Sequence, residues 1–223
     1  MTAALLLTQA LLRGNGTYQI PAQFKGKTTT HRIPHTERQL ALTFDDGPDP
    51  IYTPIILDAL KRHNAKATFF VLGKNAINNP LLLQRIVLEG HAIGTHSYTH
   101  RASMSIAEAE NENTLTQAIV LNATGIRTNL FRAPYGLSHS YLNKNAIHRG
   151  WASFNWSATA ADTATKDPEV VYKNVCFTPN PGEIILMHDV KPHTAKAIEK
   201  ILNHLDEVKF KCVTIPELIR SAS

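Results

Sequence analysis

The 223-residue sequence holds only two cysteines, Cys176 and Cys212, far apart and outside any metal-type spacing. This excludes a scaffold stapled by many disulfides and a cysteine-based zinc site. Two buried apolar thiols are expected; a disulfide would need an oxidising compartment. Neither cysteine lies in a Gly-rich or His-flanked turn, which argues against a catalytic thiol. No Lys/Arg cluster is interleaved with aromatics, so a formal charge of +5 gives little support to a nucleic-acid partner. That charge suits an anionic surface such as a cell wall equally well. The apolar opening "MTAALLLTQALL" is too short to span a bilayer and has no basic leader. It is expected to be a packing helix, with a trimmed export signal as the alternative. Internal repeats, low-complexity tracts and a G-x-S-x-G nucleophile turn are also lacking.

What remains is globular composition, 43% hydrophobic and 18% charged. A chain of this size buries roughly 70% of its unfolded surface without staples. Residues 1–38 carry no clear period and read as an irregular lead-in packing on the rest of the chain. From Gln39 onward strands and helices alternate. "QLALTFD", "ATFFVLG", "HAIGTHS", "NLFRAP", "WASFNWS", "GEIILMHD" and "KCVTI" read as strands. Between them lie helical segments such as "TPIILDALKRH" and "NPLLLQRIVLEG", the latter with Asn79 placed to cap and Pro80 at the first helical position. Ser105 and Glu108 form a capping-box pair that opens a helix ending at Gly125. Six or seven β–α units without a composition break predict one domain over 39–223, an α/β fold. The repeat count favours a distorted (β/α)7–8 barrel over a doubly wound sheet.

Working residues in parallel α/β folds gather at the carboxyl ends of strands. Asp45 and Asp46 end the first strand, in "TFDDGP". His96 ends the third, with His100 following in "HSYTH"; Arg132 and Tyr135 end the fourth, in "RAPY". Asp162 follows the fifth and His188 ends the sixth, in "LMH". Two imidazoles four residues apart can converge on one ion, but with 11 histidines such a pair is cheap by chance. No carboxylate lies inside "HSYTH", so a third ligand and a base must come from elsewhere. Adjacent side chains on a strand point to opposite faces, so Asp45 and Asp46 are expected to serve separate purposes. One can complete a His-His-carboxylate site with a position left open for water, and the other can take that water's proton. A turn with two solvated acids is the alternative for that stretch alone. Its coincidence with "HSYTH", "RAPY" and "LMH" on one barrel face favours the chemical reading. Trp151 and Trp156 are expected in the core.

These motifs, in this order, resemble the polysaccharide deacetylases of carbohydrate esterase family 4, the nodulation-factor deacetylase homology domain. The resemblance runs from Gln39 to the C-terminus. It implies a divalent metal, most often Zn2+ with Co2+, Ni2+ or Mn2+ as alternatives, and removal of acetyl groups from sugars of an N-acetylated oligo- or polysaccharide. It implies Asp46, His96 and His100 as metal ligands and Asp45 as general base oriented by Arg132. It further implies the Tyr135 backbone N–H as oxyanion donor, His188 as general acid paired with Asp162, and Leu186 at the acetyl methyl. A secreted or envelope-associated enzyme follows from the same resemblance. The family's D-x-x-D-W motif is degenerate here: in "WSATAADTA", Thr159 and Thr163 replace its first acid and its tryptophan. An acetylxylan esterase using the same site, or a silent glycan-binding homologue, are the rival readings.

Overall fold

The computed structural model describes residues 16–222. Its centre is a curled sheet of parallel strands in the order β5-β4-β3-β2-β1-β7-β6, with a short β8 beside the start of β1. The strands are β1 (Gln39–Asp45), β2 (Ala67–Val71), β3 (Ala92–Thr95), β4 (Leu130–Phe131), β5 (Ala152–Ser153), β6 (Ala158–Thr159), β7 (Ile184–His188) and β8 (Lys211–Cys212). The central strands β1, β2 and β7 are near-continuous apolar runs because both of their faces are covered. Leu40, Leu42, Phe44, Phe69, Phe70, Ile184 and Ile185 are buried there in one core. The sheet belongs to a single (β/α) barrel whose outer layer is helical.

Among the described residues, eight α-helices follow in chain order. They are α1 (Tyr52–Arg62), α2 (Gly73–Ala76), α3 (Pro80–Leu88), α4 (Ile106–Thr124), α5 (Tyr141–His148), α6 (Pro168–Cys176), α7 (Pro192–Glu207) and α8 (Ile215–Ser221). The capping box of α4 forms as expected, and Gly125 closes the helix with a left-handed φ of 74°. Asn79 does not cap α3; its Nδ2 donates to Asn75 O at 2.9 Å, so the amide acts as donor and its oxygen does not reach a helix N–H. Cys176 and Cys212 are free and buried.

The segment "WASFNWS" departs from the single strand expected. Only Ala152–Ser153 of it is strand, β5 on one edge of the sheet, and β6 begins just after it on the other edge. Between them the lead-in takes over the pairing: Thr30 bridges Phe154, and Asn155 N–H donates to Thr30 O at 2.8 Å. Five peptide steps from Ser153 to Ala158 reach at most about 18 Å, so the two edges must face each other. That is what curls the sheet into a barrel. Asp162 therefore follows the sixth strand, and His188 ends the seventh. Tyr18, Ile20 and Ile33 of the lead-in are buried in the main core. The apolar helix expected within residues 1–12 lies outside the described residues.

Register positions the chemistry. Asp45 pairs with Phe70 on one side and with His188 on the other, so Asp45 and His188 end neighbouring strands. Thr95 pairs with Phe131, which sets His96 beside Arg132 one residue further on.

Candidate active site

Asp45, Asp46, His96, His100, Tyr135, Trp156, Thr163, Leu186 and His188 line one cavity of about 290 Å³ at the carboxyl end of the barrel. Arg132 and Asp162 lie directly behind it, each bonded to a lining residue. All nine residues singled out from the sequence thus meet around one opening.

Asp46, His96 and His100 bring one ligand atom each within 4.8 Å of one another. His96 Nδ1 is 2.8 Å from Arg132 O, a bond it makes as donor, which leaves Nε2 as the free ring nitrogen. That Nε2 lies 3.6 Å from Asp46 Oδ1, and His100 Nε2 lies 3.3 Å from the same oxygen. Asp46 Oδ1 is buried and accepts no hydrogen bond from the described residues. A buried carboxylate oxygen facing two imidazoles without a donor fits a cation between them, and the N,N,O donor set suits a divalent transition metal. Burial pushes the His96 imidazole down to about 3, so it is neutral and able to ligate.

The left-handed turn at Asp46 brings both carboxylates to the same cavity rather than to opposite faces, with Asp45 Oδ2 3.7 Å from His96 Nε2, but Asp45 sits in a different environment. Arg132, fully buried, donates from Nη1 to Asp45 Oδ1 at 2.7 Å and to Thr43 Oγ1 at 2.8 Å. Its Nε and Nη2 donate to Phe154 O and Asn155 O at 3.0 and 2.9 Å. The guanidinium also lies 4.2 Å from the Phe70 ring centroid. Burial raises the Asp45 carboxyl above its ordinary range, against the pull of Arg132 and His188. The outcome is a rigidly held carboxylate of enhanced basicity.

His188 closes the cavity on the other side. Asp162 takes its Nδ1–H at 2.8 Å and its backbone N–H at 2.7 Å, and also accepts from Thr194 Oγ1 at 2.7 Å. Burial alone would disfavour the imidazolium, but the Asp162 bond and charge outweigh it, and the His188 pKa is raised. Burial likewise opposes the Asp162 anion, yet the bonds from His188 and Thr194 bring its pKa below the usual range. The pair is built to keep a proton on His188. Tyr135 stands at the rim in a left-handed conformation, φ 58°, with its ring edge-on to His100 at 4.5 Å.

The structure adds residues that the sequence did not single out. Trp156 is not simply core, as expected, but forms one cavity wall while packing inward; Trp151 is buried in a second cluster. The β5–β6 split turns Trp156 out of the strand, so no strand pattern could have shown it. Asn75 Nδ2 donates to Asp46 O at 2.7 Å and helps hold Asp46 in its left-handed φ of 76°. Asp189, fully buried, lies flat against Gly47: a Cβ there would collide with its Oδ2. Thr53 Oγ1 donates to that carboxylate at 2.5 Å, and burial pushes its pKa up to about 7. Only glycine fits after the aspartate pair. Thr159 is exposed and accepts from Ala161 N–H at 3.0 Å, while Thr163 sits on the cavity rim.

Residues 32–152 match the family described as polysaccharide deacetylase. A peptidoglycan-N-acetylglucosamine deacetylase of Listeria monocytogenes is 40% identical over 186 residues, covering 82% of this chain and 39% of that protein. The chain thus spans well under half the length of that relative. A chitooligosaccharide deacetylase of a Bradyrhizobium strain is 31% identical over 198 residues, covering 81% of this chain and 90% of its own length. Among solved structures, peptidoglycan deacetylase PdaC from Bacillus subtilis superposes with a TM-score of 0.77 at 32% identity, covering 82% and 91% of the two chains. With its motifs on a matching barrel and around one cavity, the chain belongs to the polysaccharide deacetylase family.

Proposed function

We propose that the chain is a metal-dependent hydrolase that removes N-acetyl groups from an N-acetylglucosamine-containing glycan of the cell envelope, peptidoglycan or chitin oligomers. The observation that carries this reading is the convergence of three separate devices on one cavity. They are an Asp-His-His group around an undonated carboxylate oxygen, an Arg-held buried carboxylate, and a His-Asp pair. The names of the relatives support the substrate class.

Asp46, His96 and His100 would hold one divalent ion, with Zn2+ favoured by the two imidazoles and one carboxylate. When bound, the ion supplies Lewis acidity to the attacking water and the acetyl carbonyl. Asp45, fixed by Arg132, takes the proton of that water as its oxygen bonds to the carbonyl carbon. The Tyr135 backbone N–H would donate to the developing oxyanion. His188 delivers its proton to the nitrogen as the C–N bond breaks and acetate forms, and Asp162 keeps the ring oriented and charged for that step. Leu186, Trp156 and Thr163 line the same cavity and would surround the methyl group. The catalytic unit is assigned to 39–223, beginning with β1, with 1–38 as its lead-in, of which Tyr18, Ile20 and Ile33 pack into the core.

Acetate release from N-acetylchitopentaose and from peptidoglycan, measured on chelated protein before and after adding zinc, cobalt, nickel or manganese, tests the proposal. Metal-restored release supports it. Release from acetylxylan alone indicates the esterase, and glycan binding without release on any substrate indicates the silent homologue. The retained Asp45, Arg132 and His188 weigh against that last reading, since a binder has no use for a base and an acid.

A further inference from the structure

The segment between the two histidines is sharply bent. Ser97 and His100 both adopt left-handed backbone, with φ of 69° and 65°. Such conformations persist in non-glycine residues only where the surroundings over-determine them. The surroundings here are two flanking elements. On one flank, Gly73 and Lys74 N–H groups donate to Ser97 O and Tyr98 O at 3.0 and 3.2 Å. Gly73 is pressed so close that a Cβ would collide with Tyr98 Cδ2.

On the other flank stands Glu112 of α4, 6% exposed. Its Oε2 accepts the Tyr98 and Thr99 N–H groups at 2.7 and 2.8 Å, and its Oε1 accepts the Thr99 hydroxyl at 2.6 Å. His100 N–H then donates to Ser97 Oγ at 3.0 Å. Every backbone N–H from Tyr98 to His100 is therefore taken, two of the three by one carboxylate. Arg101 stays 4.0 Å from Glu112, so the carboxylate is committed to the loop and is not half of a tight ion pair. Bonds to an ionised acceptor are the strong kind. A salt bridge or a helix-docking contact would not need three donors from two consecutive residues between the two histidines.

We propose that Glu112 is a positioning residue for the metal site: it sets the bend that lets His96 and His100 converge on Asp46. The proposal rests on reading Asp46, His96 and His100 as a metal site.

Metal-free protein, prepared with a chelator, is titrated with zinc against a chromophoric competitor well below its unfolding temperature. Glu112→Ala is expected to bind zinc about 10–100-fold more weakly, the range for loss of a group that orients ligands. Glu112→Gln is expected to recover most of that loss. Its amide oxygen can accept both N–H groups while its Nε2 donates to the Thr99 hydroxyl. A folded Glu112→Ala protein with zinc affinity within about twofold of wild type overturns the proposal, because a role in fold alone lowers melting temperature without moving affinity. Gln as weak as Ala also overturns it, since position would then not be what matters. If the Ala variant does not fold, Glu112→Asp, one methylene short of the loop, decides: weakened zinc binding supports the proposal and wild-type binding overturns it. If the wild-type protein binds no divalent ion, it is the reading of the site that fails. Amide exchange at Tyr98 and Thr99 then tests the clamp by itself: about tenfold faster exchange in Glu112→Ala supports it, and unchanged rates overturn it.

Discussion

Arg132→Met is the perturbation whose size the structure fixes best. The side chain is fully buried, and Met keeps much of its volume against Phe70. What is lost is the cation bonded to Asp45, together with donors to Thr43 Oγ1, Phe154 O and Asn155 O. An unpaired buried carboxylate left by removing its partner costs about 3–5 kcal/mol. For a chain of this length that lowers the melting temperature by about 6–20 °C. Asp45→Asn by itself keeps a neutral acceptor for Arg132 and should cost about 1–2 kcal/mol. Removing the anion as well should rescue the Met variant, so the double variant should be less destabilised than the sum by about 2 kcal/mol or more. Urea unfolding of chelated protein, followed by circular dichroism, keeps metal linkage out of the comparison. The sign with pH is also fixed. Asp45 is raised by burial even with Arg132 present, and losing the cation raises it further. A carboxyl raised in the folded state is neutral in both states in acid, and lowers stability as pH rises from its unfolded value of about 4. The deficit of Arg132→Met should therefore be smallest near pH 4 and grow toward neutrality. Additivity within about 0.5 kcal/mol, or a deficit independent of pH, would refute this account of the pair.

Asp45→Asn should lower acetate release by at least about 10²-fold while zinc still binds; release at wild-type rate removes Asp45 from the role of base. His96→Ala should lose zinc and activity together, and full zinc occupancy in that variant contradicts the ligand set. Asp162→Asn removes the group that holds the His188 pKa up, so the alkaline limb of the rate profile should move to lower pH. A limb that stays in place would mean that His188 is not the acid. Gly47→Ala forces a Cβ onto the Asp189 carboxylate and should destabilise the protein by about 1–3 kcal/mol; a neutral result in thermal unfolding would mean that Asp189 moves freely.

Much of the barrel was legible because local chemistry and tertiary role coincide in it. Strands β1, β2 and β7 are apolar runs that cannot be exposed on either face, and the Ser105–Glu108 box and Gly125 mark the ends of α4 without outside help. Where neighbours decide, the reading failed. "WASFNWS" has strand composition throughout, yet it is broken by the lead-in residue Thr30 and by the need to join two sheet edges. Asn79 has the chemistry of a cap but spends it as a donor to Asn75 O.

The candidate site divides the same way. Asp45, Asp46, His96, Arg132 and His188 lie at or just past the carboxyl ends of apolar strands, with His100 and Tyr135 a few residues further on, and a polar residue there is visible in one dimension. Asp189 ends the stretch "GEIILMHD" and carries the same signal; Glu112, Asn75 and Trp156 do not, because they meet the site from helices and a strand break whose directions depend on packing. Glu112 lies in "AENENTLTQ", which resembles a solvated helix face, and only the docking of α4 turns Glu112, Asn113 and Thr116 inward. Side-chain type and strand-end position are local, so the kind of fold and the candidate groups for proton and ligand chemistry could be read from the chain. The tertiary structure alone decided how those groups are aimed, because aiming depends on bonds between residues far apart in the chain.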